Sequence, residues 1–129
     1  MQLYFRTFKR EYGMRSALVA GLAAVVMTAS AAVAHHGWGN YDAAQVLTLT
    51  GTIKEMTYAN PHGTLTLQTS DKTWTVTLAP PFRMQNRGLP AEMLKSGTTV
   101  TVVGYPNRND PAEMRAERIT VNNQTTELR

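Results

Sequence analysis

The sequence predicts a mostly β chain: one domain of five strands, with a short helix between the third and fourth. Three observations carry this. Thr64–Thr69 and Trp74–Leu78 alternate polar and apolar residues with a period of two, across the polar link Ser70-Asp-Lys72. Runs rich in Thr, Val, Leu and Ile fill 46–58 and 98–105, residue types that suit a pleated, half-buried surface, and Met114, Ala116, Ile119 and Val121 mark a last strand. Between 82 and 94 alternation stops, and Leu89-Pro-Ala-Glu-Met-Leu-Lys95 puts a proline where a helix tolerates one, in its first turn. At 129 residues without a cysteine, the chain holds one small domain at most.

Residues 1–34 come before that domain. Arg6, Lys9, Arg10 and Arg15 make the start basic, Ala17–Met27 is an uncharged apolar run, and small residues lead to Ala32-Val-Ala34. This order predicts a secretory signal peptide. A membrane anchor is disfavoured because the run is alanine-rich and shorter than the roughly 20 apolar residues that span a bilayer. Met14 offers a second start codon with a more ordinary leader, and the mature chain is the same from either. Cleavage after Ala34 leaves a domain of residues 35–129 that begins His35-His36; cleavage after Ala32 leaves Val-Ala-His instead. The protein is therefore expected in the periplasm or outside the cell.

In the mature chain, Val46–Tyr58 reads as one long strand bent or bulged at Gly51. Asn60-Pro-His-Gly63 forms a turn that carries His62 on a loop. Leu65 and Leu67 share one face of the second strand, and Trp74, Val76 and Leu78 one face of the third. Pro80-Pro81 ends the third strand, since proline has no N–H for a central ladder, and one or two helical turns follow. Lys95-Ser-Gly97 stops the helix. Thr98–Tyr105 is the fourth strand, and Met114–Val121 the fifth, with a slip in alternation before Ile119. Asn122–Arg129 reads as a frayed polar tail. The order matches an OB-type five-stranded barrel. An open sheet with a helix on one side has the same order, and periodicity does not decide closure.

The net charge of +4 belongs largely to the leader, because residues 35–129 hold nine basic and eight acidic groups. A nearly neutral body argues against nucleic acid as a partner. The missing cysteines exclude thiol catalysis and cysteine-ligated zinc or iron–sulfur sites. No Gly-x-Ser-x-Gly elbow or paired acidic spacing is present, so an enzyme is not expected.

Ala34-His-His36, Tyr41-Asp42, Leu49-Thr-Gly-Thr52, Asn60-Pro-His62, Leu94-Lys-Ser-Gly97 and Val102-Val-Gly-Tyr105 together resemble a family of small secreted bacterial proteins. That family is catalogued as a domain of unknown function, number six-one-five-two in its series. The resemblance covers nearly all of the mature chain, with Leu78–Met84 and Arg87-Gly-Leu89 as a subgroup feature. It implies a secreted OB-like domain with a His-His start and an Asn-Pro-His turn, and no established activity. The family often has an aromatic soon after Asn-Pro-His, where this chain has Gly63-Thr64.

His35, His36 and His62 are the three histidines and the candidate metal ligands. A free N-terminal histidine chelates through its α-amine and imidazole Nδ1, and a third nitrogen completes an N₃ set suited to copper. Solvated histidines in a tail and a turn are the plainer reading. Asp42 is a possible further ligand, and Arg83, Arg87 and Arg108 read as solvated surface that an anion would have to recruit. Two functions follow: a copper-binding module using His35 with His62, or His36 as the alternative ligand; and a metal-free OB-type module for a small ligand or partner protein.

Overall fold

The computed structural model describes residues 37–129, of which Trp38–Arg129 forms one compact unit. The leader, its cleavage site and the start of the mature domain fall on residues outside that range. Six strands follow the 3-10 turn Trp38–Asn40: β1 (Leu47–Thr57), β2 (Thr64–Gln68), β3 (Thr73–Thr77), β4 (Thr99–Pro106), β5 (Glu113–Val121) and β6 (Gln124–Glu127). Strands β1 to β5 close into a barrel. β1 pairs antiparallel with β2 and β4, β2 with β3, β4 with β5, and a parallel β3–β5 pairing shuts the seam. Closure thus decides for the OB-like barrel over the open sheet.

β1 closes the barrel because it is long. Its first half, Leu47–Thr52, lies on β4 and its second half, Thr52–Thr57, on β2. Gly51 sits at the changeover, where a Cβ would stand 2.4 Å from the Gln68 carbonyl oxygen. The register slip itself falls between Ile53 and Glu55, two residues beyond the glycine expected to bulge. Glycine supplies the close approach, and the bulge that follows lets β1 turn onto β2.

Alternation places the core. Leu65, Leu67, Trp74, Val76, Leu78, Val100, Val102 and Ile119 are all buried together, as their spacing requires. Between β3 and β4 the chain makes two short helical pieces, α1 (Pro81–Asn86) and a 3-10 turn, Ala91–Leu94. Pro81 opens α1, since its fixed φ fits a first turn and its missing N–H would have no partner there. Met84, Leu89 and Leu94 bury themselves in the core from this connection.

The tail is ordered, not frayed. Asn122 and Asn123 take positive φ values of 50° and 64°, a tight turn that asparagine tolerates, and β6 folds back onto β5. Leu128 is 1% exposed, and its N–H donates to the Glu117 carbonyl at 2.7 Å.

Candidate functional site

The β1–β2 loop delivers His62 to the end of β3. Its Asn60–Pro61 bond is cis, and Gly63 locks onto the chain after β3: its N–H donates to Ala79 O at 2.9 Å and its carbonyl accepts from Leu78 N–H at 2.8 Å. The His62 ring then lies 3.2 Å, Nε2 to Nη2, from Arg115. Guanidinium nitrogens only donate, so Nε2 accepts and the ring proton sits on Nδ1. Partial burial, reinforced by the charges of Arg115 and Arg83, lowers the pKa of His62 from its ordinary 6.5 and keeps it neutral.

Arg115 is the unusual residue. On β5 it follows the inward Met114 and precedes the inward Ala116, so it faces out of the barrel, opposite Thr77 of β3 and Tyr105 of β4. An arginine there belongs in solvent, yet it is 7% exposed. Its Nε is buried without a hydrogen-bond partner. Gly104 of β4 brings the strands together behind it, since a Cβ there would lie 2.0 Å from the Arg115 carbonyl oxygen.

The cover is the segment that opens the domain. The Arg115 guanidinium carbon lies 4.1 Å from the Trp38 ring centroid and 5.9 Å from that of Tyr41. Trp38 meets Tyr41 and Tyr105 edge-on, at 6.4 and 6.1 Å. Tyr41 OH donates to Glu113 at 2.5 Å, Asp42 N–H to Pro106 O at 2.9 Å, and Arg108 N–H to Asn40 O at 2.8 Å. Residues 38–42 are thereby stitched to the β4–β5 connection, above the seam where β3 meets β5.

Two further cations stand by. Exposed Arg129 places its guanidinium 4.8 Å from the Trp38 ring centroid, and exposed Arg83 of α1 donates to Leu128 O at 3.1 Å. Burial, and secondarily the charges of Arg83 and Arg129, lowers the pKa of Arg115, against the opposing pull of Tyr41. The ion pairs among the described residues are Arg108–Asp42 and Arg118–Glu127, neither of which involves this trio. Glu113 is committed to Tyr41, Thr77 and Asn107.

The family model for DUF6152, a family of unknown function, matches residues 22–115. The chain belongs to that family. No curated protein matches it. Among solved structures it is similar to a chain of a complex of TiaS with an isoleucine tRNA and ATP, at 17% identity and a TM-score of 0.47, over 66% of this chain. It spans 19% of that other chain, and the likeness carries no functional argument.

Of the candidate ligands in this DUF6152 domain, His35 and His36 lie outside the described residues, and His62 stands beside Arg115 as above. No group of three or more His, Cys, Asp or Glu able to hold a metal occurs among the described residues. Asp42 serves its own turn, accepting from Ala44 N–H and the Gln45 amide, and pairs with Arg108 at 3.7 Å. Arg87 donates to the Glu127 and Arg129 carbonyls. Trp74 is core, with Lys72 over its ring at 4.0 Å. Arg115 is the residue that sequence reasoning missed. Its strand phase points to solvent, and no local pattern announces that Trp38 returns to cover it.

Proposed function

We propose that this DUF6152 chain is an exported binding module, not a catalyst, with its ligand end at the corner where His62, Arg115 and Trp38 meet. The observation that carries it is Arg115 itself: 7% exposed, with an orphaned Nε and a neutral histidine as its side-chain partner. Burying a cation with no counter-charge is costly, and a bound ligand that supplied polar or anionic partners would offset that cost. OB-type barrels bind through the β2–β3 face and the loops β1–β2 and β4–β5. Here the β1–β2 loop carries His62, and the β4–β5 connection anchors the cover over Arg115. The His62 lone pair is engaged by Arg115 and not by a hydroxyl it would activate, which favours binding over catalysis. Export rests on the leader.

The guanidinium set favours the metal-free reading, because three cations repel a divalent metal ion. Copper is the second reading, and two observations support it. His62 is favoured in its neutral form, whose Nε2 lone pair could ligate a metal once it leaves Arg115. Trp38 lies three residues after His35, so an extended chain puts that N-terminal chelate within about 10 Å of the Trp38 backbone.

Calorimetry with cupric ion on three proteins tests copper: the chain starting at His35, the same chain with one residue added in front, and His62→Ala. A copper module binds one ion in the first, loses affinity by orders of magnitude in the second and weakens in the third. Equal, weak binding in all three overturns copper. The ligand end is tested by NMR: the small-molecule fraction of a periplasmic extract should shift the Arg115 Nε–H and His62 ring signals, whereas an inert corner leaves both in place.

A further inference from the structure

We propose that the corner is an oxyanion site, in which Arg115, with Arg83 and Arg129 flanking it, takes a small ligand through a carboxylate or phosphate group. This deepens the metal-free reading and rests on it. Three independent features point the same way.

The first is like charge gathered without opposite charge. Arg115 and Arg129 share the Trp38 ring, at 4.1 and 4.8 Å, and Arg83 reaches the Leu128 carbonyl next to Arg129, yet among the described residues no Asp or Glu pairs with any of the three. Glu113, two residues from Arg115, is turned to Tyr41, Thr77 and Asn107 instead. Such a cluster is self-repelling until an anion joins it.

The second is the orphaned donor. A guanidinium offers five N–H groups in a planar fork that matches carboxylate and phosphate oxygens. Arg115 has one nitrogen on His62 and a buried Nε with no partner, while its guanidinium carbon lies 4.1 Å from the Trp38 ring centroid. Fork and orientation are set before any ligand arrives, which lowers the entropy cost of binding.

The third is reach. Arg83 and Arg129 are exposed, on α1 and at residue 129; one guanidinium rests on the Leu128 carbonyl and the other against Trp38, contacts that a ligand held by Arg115 would exchange for its own oxygens. His62, accepting from Arg115, fixes the other side of that base.

The test uses the protein starting at His35, labelled with nitrogen-15, and follows the Arg115 Nε–H while sodium phosphate, sodium acetate and sodium chloride are added separately at matched ionic strength. The expected result is a saturable shift with phosphate or acetate that chloride does not reproduce. The double substitution Arg83→Gln, Arg129→Gln, both at exposed positions, should weaken it at least tenfold in a protein whose amide spectrum shows the barrel still folded. A stronger response to acetate assigns a carboxylate, and the reverse a phosphate. A shift equal to that of chloride, or one undiminished in the double variant, overturns the oxyanion site. If the anions fail while the periplasmic extract still moves the signal, only the oxyanion assignment falls; if both fail, the corner is not a ligand end.

Discussion

At the scale of single residues, the corner works by denying groups their usual partners. Arg115 faces outward on its strand but is roofed by an indole, and His62 meets a cation where a histidine more often meets a carboxylate or a carbonyl. The consequence for His62 is a pKa below 6.5, set first by burial and then by Arg115 and Arg83. An NMR pH titration should show its ring titrating below that value, and Arg115→Met should move the midpoint back up. The sign for stability follows. Above about 6.5 both folded and unfolded chains carry neutral His62; as pH falls below it, the unfolded chain takes the proton first, and stability is lost down through the folded value. Urea melts of the parent and of His62→Gln should therefore diverge as pH falls below roughly 6.5, with the parent showing the steeper loss. Identical slopes would mean that His62 is solvated after all. His62 was legible from sequence because Asn-Pro-His-Gly is a turn; Arg115 was not, because its cover, Trp38 and Tyr41, comes from the opposite end of the domain.

At the scale of elements, alternating strands and proline-marked turns announced themselves, and the polar last strand did not. Leu65, Leu67, Val76 and Val102 sit where a period of two places them, since one buried face fixes the phase of a strand. α1 is only six residues, too short for helical periodicity, and was legible from the prolines that end β3 and from the loss of alternation after them. β6 is polar throughout: of Gln124, Thr125, Thr126 and Glu127 only Thr126 is buried, so a tail and a strand look alike until β5 is present to pair with. Leu128 then anchors the end of the chain in the core. Replacing it with alanine should cost about 2–5 kcal/mol in urea unfolding, as for other fully buried leucines. A loss under about 0.5 kcal/mol, the usual surface value, would restore the frayed tail. Because Arg83 and Arg87 donate to the carbonyls of 127–129, the same substitution should also loosen the cationic side of the corner.

At the scale of the whole molecule, the barrel is closed by the parallel β3–β5 pairing, and the corner lies at that seam, with Thr77 and Arg115 as its last registered pair. Closure, the loop that carries His62 and the segment that roofs Arg115 all meet there, while the Asp71–Lys72 hairpin joins the far ends of β2 and β3. The proposed ligand end is this seam. NMR of the labelled protein with the small-molecule fraction of a periplasmic extract tests it most directly. Binding at the seam gathers the shifts on Trp38, His62, Arg83, Arg115 and Arg129. Shifts confined to the Asp71–Lys72 hairpin, or none anywhere, would contradict it.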